Sequence, residues 1–147
     1  LNTVWLIICA MCFGGVMGAS GFLDKLSSSL MKMATNTASL VATTTGTCIF
    51  FNVTASDQYL AIVVPGKMFA ESYKDKGLAP ENLSRTLEDS GTVTSVLIPW
   101  NTCGATQASV LGVSTLTYLP FCFFNIISPF MTLLYAIIGI KIRKIKT

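Results

Sequence analysis

The chain has 147 residues, of which 52% are hydrophobic and 12% are charged, and its mean hydropathy is +0.63. A soluble globular domain carries about 25% charged residues, because its surface must be solvated. The composition therefore excludes a disordered chain and argues against a soluble domain. We predict an all-α membrane protein that has the lipid bilayer as a partner.

The basic residues are concentrated at one end of the sequence. Four of the ten basic residues lie in the last seven positions, and they are Lys141, Arg143, Lys144 and Lys146. Their combined charge of +4 exceeds the net charge of the chain, which is +3. The remaining chain offers no diffuse basic surface, so we expect no binding to nucleic acid. The segment 141–147 is instead typical of a basic tail that flanks a membrane.

The composition also argues against an enzyme. The chain contains no histidine, and its five cysteines lie in apolar or uncharged runs. Without histidine, a serine or cysteine nucleophile lacks its usual base, and zinc lacks one of its common ligands. We expect neither enzymatic activity nor a bound cofactor.

The first half of the chain contains two long regions with almost no charge. A crossing helix needs about 20 apolar residues, and residues 1–23 predict one. The spacing Gly14-x-x-x-Gly18 favours a close helix contact, within the protein or in a homodimer. The region 33–66 is rich in hydroxyl groups and too short for two crossings, so it predicts a re-entrant hairpin with its tip near 52–58.

A charged segment, 67–89, separates the hairpin from the last apolar region. It holds nine of the 17 charged residues, and Pro80 predicts the start of a short amphipathic helix within it. An interrupted transmembrane helix is predicted over 90–113, because Pro99 lacks an N–H group and clashes with the preceding turn. A further crossing is predicted over 118–140.

The basic residues agree with a single topology. If the hairpin enters and leaves by one side and the region 90–140 crosses twice, every basic residue from Lys25 onwards lies on the same side. The positive-inside rule makes that side cytoplasmic. We therefore expect a multi-pass protein with a cytoplasmic tail.

Polar groups that these predictions place inside the membrane are the candidate site. Burial of a carboxylate costs about 2.5–3.5 kcal/mol, so Asp57 needs a cavity, a cation or a proton, unless it caps a helix that begins at Gln58. The same two alternatives, ion binding or capping, apply to Asp89 with Ser90. Asn101 follows the predicted break, where carbonyls can hold a cation, and its amide must at least find a hydrogen bond. The candidate ion-binding or proton-carrying residues are Asp57, Asp89, Asn52, Thr54, Ser90, Thr92, Thr94, Asn101 and Thr102.

The region 86–104 carries a specific resemblance. Its strings TLEDSGTVTS and LIPWNTCG resemble the NhaC-type sodium/proton antiporter family, as do DQYL at 57–60 and GLAP at 77–80. The likeness extends over essentially the whole chain, which is similar to about the final third of a family member. The resemblance therefore implies a further partner, the N-terminal part of the same protein.

The resemblance implies a bacterial inner-membrane exchanger built from two inverted repeats, with this chain in one half. It implies Na+ and H+ as the transported species, bound in turn by a carboxylate such as Asp57 or Asp89. Two alternatives stay open. One is a sodium-coupled exchanger of organic acids such as malate and lactate, and the other is a non-transporting membrane subunit or channel component whose hydroxyls join helices.

Overall fold

The computed structural model describes residues 36–55, 57–140 and 142–145, together with 12, 16, 19–21 and 25. The predicted helix 1–23 therefore falls almost entirely outside the described residues. Within 36–140 the chain forms seven α-helices and two short segments of other helical types, and this part of the chain contains no β-strand. The prediction of an all-α protein is confirmed.

The region predicted as a hairpin forms two long helices joined by a short turn. Helix α1 covers Thr37–Thr54 and helix α2 covers Gln58–Asp75, so the turn lies within the predicted tip. The hydroxyl groups of Thr43, Thr44 and Thr47 donate to carbonyls four residues earlier in α1. The many hydroxyl groups of α1 are thus partly satisfied by its own backbone.

Helix α2 is longer than predicted, because Pro65 does not end it. The prediction ended the hairpin at residue 66, whereas the helix continues to Asp75. Proline at position 65 removes the N–H group that would bond to the Ala61 carbonyl. That carbonyl faces Gly91, where a Cβ atom would lie 3.3 Å from the carbonyl oxygen. Because Gly91 has no side chain, the segment that contains it can pack against this point of α2.

The next helix begins at the predicted residue, Pro80, and is followed by further helical segments without a loop. Helix α3 covers Pro80–Leu87, and a π-helical segment, Glu88–Thr92, leads directly into α4, Val93–Ser95. The predicted boundary between a loop and a helix at 89 and 90 is therefore not observed. A capping role for Asp89 or Ser90 is wrong, because the chain is already helical before them.

The interruption predicted from Pro99 is present between α4 and α5. Helix α5 covers Thr102–Leu111, and residues 96–101 between the two helices are not helical. At Gly104 a Cβ atom would lie 2.1 Å from the Ile98 carbonyl oxygen, which is closer than any van der Waals contact. The interruption can fold back on α5 only because residue 104 is glycine.

The end of the chain contains the most apolar elements. Helix α6 covers Thr115–Tyr118, a 3-10 turn covers Leu119–Phe121, and helix α7 covers Phe123–Ile138. No individual helix in the described part has the length and apolarity for a bilayer crossing. One pair of segments meets both criteria when the two are taken together, and the pair consists of Thr115–Phe121 and Phe123–Ile138. The axes of these two segments are bent by 59° relative to each other.

The core lies among α1, α2 and α3, and α7 packs against α1. The buried apolar side chains of this core are Leu40, Val41, Cys48, Val64, Met68, Phe69, Tyr73, Leu78, Leu83, Leu87 and Ala136. The other side of α7 is exposed: Phe124 is 72% exposed and Ile137 is 71% exposed. Such a surface is typical of contact with lipid or with another part of a protein.

Part of the basic tail returns to the connection between α2 and α3. Leu78 forms an antiparallel bridge with Lys144, and Ile145 N–H donates to the Gly77 carbonyl at 2.8 Å. The ends of the tail, residues 141 and 146–147, lie outside the described residues. The described tail residues thus lie at the same end of the bundle as the connection between α2 and α3.

The contact at Gly104 gives a stability prediction. We expect Gly104→Ala to lower the free energy of unfolding by about 1–3 kcal/mol, because the new methyl group overlaps a backbone carbonyl. The measurement is denaturant unfolding of the purified full-length protein in detergent. The matched control is Gly46→Ala within α1, where a Cβ atom would meet nothing within 4 Å. Equal stability of the two variants would show that the close approach is absent.

Candidate functional site

The tip of the α1–α2 hairpin contacts the break between α4 and α5. Asn101 Nδ2 donates to the main-chain oxygen of Asn52 at 3.1 Å and to its Oδ1 at 3.2 Å. Beside this pair, Trp100 Nε1 donates to the Val53 carbonyl at 2.9 Å. Both asparagines are fully buried. Two irregular points that are distant in the sequence therefore meet inside the protein.

Asn52 also joins the hairpin to the π-helical segment and to α4. Its Nδ2 donates to the Gly91 carbonyl at 2.7 Å and to Thr94 Oγ1 at 3.2 Å. Thr94 donates to the Ser90 carbonyl, and Ser90 donates to the Thr86 carbonyl. Asn52 is thus the point at which three segments are held together.

Asn101 has a second role as the N-cap of α5. Its Oδ1 accepts from Cys103 N–H at 3.1 Å. The prediction that the Asn101 amide must find hydrogen bonds is confirmed. Asn52 Oδ1 and Asn101 Oδ1 each accept one of these hydrogen bonds, and an amide oxygen has two lone pairs.

Asp57 lies at the hairpin tip, and its two carboxylate oxygens differ. Oδ1 accepts from Leu60 N–H at 3.1 Å, so the predicted cap of α2 is confirmed. Oδ2 is buried and has no hydrogen-bond partner among the residues that the structure describes, and the residue as a whole is only 8% exposed. An unsatisfied buried acceptor costs about 1–3 kcal/mol, and more when it is charged. A cation or a proton on Oδ2 would remove this cost.

The chain next to Asp57 also contacts the start of α5. The thiol of Cys103 donates to Gln58 Oε1 at 2.6 Å. Gln58 directly follows Asp57, and Cys103 is the second residue of α5. The hairpin tip therefore contacts both the break, at Trp100 and Asn101, and the helix that follows it.

The second candidate carboxylate, Asp89, faces a different helix. Its Oδ1 accepts from Ser128 Oγ at 3.2 Å, and its Oδ2 accepts from Thr132 Oγ1. Both donors belong to α7, and the sequence analysis did not single them out. Their spacing of four residues in a largely apolar helix was a signal that could have identified them.

The remaining candidate residues are less closely connected. Thr54 is exposed and donates to the Phe50 carbonyl of its own helix. Thr102 is also exposed, and Thr92 is partly buried with its carbonyl accepting from Ser95. Ser90 is fully buried and bonds within its own helix. Among the described residues, direct hydrogen bonds join four of the nine candidates, which are Asn52, Thr94, Asn101 and, through its carbonyl group, Ser90.

Comparisons with known proteins agree with the resemblance seen in the sequence. Residues 1–140 match the sequence model of the Na+/H+ antiporter family. The chain is 44% identical to the Na+/H+ antiporter NhaC of Alkalihalophilus pseudofirmus over 142 residues, which is 97% of this chain and 31% of that protein. It is 39% identical over 134 residues to NhaC of Bacillus subtilis, covering 91% of this chain and 30% of the relative.

A more distant relative is the malate-2H+/Na+-lactate antiporter of Bacillus subtilis, which is 30% identical over 139 residues, covering 95% of this chain and 30% of that protein. The chain thus spans about a third of the length of these relatives. No solved structure is a significant match to it.

The contact between Asn52 and Asn101 predicts an energetic coupling. In a double-mutant cycle with Asn52→Ala and Asn101→Ala, we expect the unfolding free energies to be non-additive by about 1 kcal/mol, because either change removes the hydrogen bond from Asn101 Nδ2 to Asn52 Oδ1 and the second change cannot remove it again. The control cycle pairs Asn52→Ala with Asn82→Ala, whose side chain bonds at the opposite end of the bundle. Additivity in the first cycle would contradict the contact.

Proposed function

The chain belongs to the Na+/H+ antiporter family, and from this premise we propose that it takes part in exchanging sodium ions for protons across a bacterial membrane. The observation that carries the proposal is the buried Oδ2 of Asp57 at the hairpin tip, which has no hydrogen-bond partner in the described part of the chain. A carboxylate in this position can hold either a proton or Na+, and both ligands satisfy the same oxygen.

The proposed mechanism is competition for one carboxylate. A water-poor environment favours the neutral, protonated form, whereas a cation beside the carboxylate favours the charged form. Binding of Na+ to Asp57 therefore requires loss of the proton. If the site opens alternately to the two sides of the membrane, this competition yields exchange.

The surrounding amides support the proposal through their chemistry and position. Asn52 and Asn101 lie where the hairpin tip meets the break, and their carbonyl oxygens are ligands of the type that hard cations prefer. Their hydrogen bonds also join the hairpin to the two helices on either side of the break. We propose that a cation bound at the tip alters the alignment of these segments through this amide pair.

We also propose how the chain lies in the membrane. Helices α1 and α2 would form a re-entrant hairpin that enters and leaves on the side of the tail, within one half of an inverted-repeat transporter. Support comes from the contact of residues 142–145 with the α2–α3 connection and from the exposed apolar side chains of α7. The tail would then be cytoplasmic, and the protein would be a multi-pass protein of the inner membrane.

An organic-acid exchanger is the second candidate. The likeness to the malate-2H+/Na+-lactate antiporter favours it. Uptake of radioactive sodium into vesicles that contain the full-length protein separates the two candidates. Competition by malate or lactate would support the organic-acid exchanger, whereas dependence on a proton gradient alone supports sodium/proton exchange.

The central test is Asp57→Asn in the full-length protein reconstituted into vesicles. The amide Oδ1 can still accept from Leu60 N–H, so the cap of α2 is retained while the negative charge is removed. We expect sodium-driven proton movement to fall to background, because a neutral amide can neither release a proton nor attract Na+. A pH-sensitive dye inside the vesicles measures the movement.

The matched control is Asp75→Asn, which makes the same change at an exposed position at the end of α2. We expect this variant to transport like the wild type. If Asp57→Asn also keeps wild-type transport, the assignment of Asp57 is wrong. If Asp89→Asn alone loses transport, Asp89 is the carboxylate that exchanges the ions.

A further inference from the structure

A small cavity lies at the end of the bundle where the tail meets α1, α3 and α7. Its lining includes Asn82, Arg85, Thr132, Ala136 and Ile142, and the space accommodates about one water molecule. Polar and apolar groups both contribute to the wall. A water molecule there would have hydrogen-bonding partners.

Thr132 connects this cavity to Asp89. Its side chain lines the cavity, and its hydroxyl group donates to the Asp89 carboxylate. The hydroxyl oxygen has two lone pairs and can accept a hydrogen bond from a water molecule in the cavity. Cavity water, the Thr132 hydroxyl and the Asp89 carboxylate can therefore form one chain of hydrogen bonds.

The described tail contributes to the cavity wall through Ile142. The neighbouring residue Arg143 is held by the side chain of Asn82. Asn82 Nδ2 donates to the Arg143 carbonyl at 2.6 Å, and Arg143 N–H donates to Asn82 Oδ1 at 3.1 Å. Ala79 N–H also donates to the Arg143 carbonyl at 2.9 Å. These hydrogen bonds hold the start of the described tail beside the cavity.

The size of the cavity favours a proton over a sodium ion. A space for about one water molecule does not hold a hydrated sodium ion. A proton needs only a continuous chain of hydrogen bonds. In each transfer, the cavity water would receive a proton from the aqueous phase and give one to the Thr132 oxygen, while Thr132 gives its hydroxyl proton to the Asp89 carboxylate, so that the water and Thr132 both end neutral.

We propose that Asp89 exchanges protons with one side of the membrane through Thr132 and this cavity, and that residues 142–145, held by Asn82, cover its entrance. The inference rests on the proposed exchange function, because it specifies a path for the proton. It makes Thr132 a proton-relaying residue and Asn82 a positioning residue. Asp89 would then be a second carboxylate that exchanges protons, in addition to Asp57 at the hairpin tip.

The relay is tested by removing the hydroxyl group without changing the size of the side chain. We expect Thr132→Val to slow sodium-driven proton movement in vesicles by about tenfold or more, and Thr132→Ser to restore it, because serine keeps the hydroxyl group. The matched control is Thr47→Val, which removes a hydroxyl group that donates within α1. If Thr132→Val moves protons at the wild-type rate, Thr132 does not relay protons to Asp89.

The cover is tested by a measurement that does not depend on transport. In the full-length protein, position 136 is changed by Ala136→Cys and reacted with a membrane-impermeant thiol reagent. Mass spectrometry of the peptide that contains this position gives the rate of labelling. We expect the additional change Asn82→Ala to increase that rate by about tenfold or more, because it removes the side chain that holds Arg143.

The control position is Ala61→Cys, in α2, where the side chain is fully buried outside the cavity. Its labelling should stay unchanged by Asn82→Ala. An unchanged labelling rate at position 136, or an equal rise at position 61, would contradict the proposal that residues 142–145 cover the entrance of the cavity. Absence of sodium-driven proton movement in the wild type would contradict the proposed function, while labelling at position 136 still decides whether the cavity opens.

Discussion

The contact between the hairpin tip and the helix break is the interaction on which the rest of the structure depends. A helix ends with carbonyl groups that have no partner within it, and at the end of α1 two of these carbonyls belong to Asn52 and Val53. They accept hydrogen bonds from the side chains of Asn101 and Trp100. The break thus supplies hydrogen-bond donors for the free carbonyl groups of the hairpin tip, and these carbonyl groups need no water as a partner. Such pairing is what permits polar backbone groups to lie inside a membrane.

The same contact fixes the helices around it. Asn52 bonds to Gly91 and Thr94, which sets the position of the helix from α3 to α4 relative to the hairpin. Gly91 in turn packs against the part of α2 that Pro65 deprives of a hydrogen bond. With the helix held there, Asp89 faces the hydroxyl groups of α7 rather than the tip. The two candidate carboxylates therefore have different surroundings, and they need not have the same role.

Several features of the fold could be predicted because their causes are local. Pro80 begins a helix, Pro99 lies in an interruption, and Asp57 caps the helix that follows it, all through groups within a few residues of each other. The end of the hairpin could not be predicted in this way. Pro65 normally weakens a helix, and α2 continues past it within a structure where Gly91 packs beside the freed carbonyl.

The sequence by itself determined that the chain is helical, where its polar groups interrupt apolar segments, and to which family it is similar, because composition, proline positions and motifs are properties of the chain alone. Only the tertiary structure decided which polar groups meet. Three features depend on how separate segments pack: the pairing of Asn52 with Asn101, the burial of Asp57 Oδ2 without a partner among the described residues, and the contacts of Asp89 with Ser128 and Thr132. No pattern within one segment encodes the distance between two side chains that lie tens of residues apart.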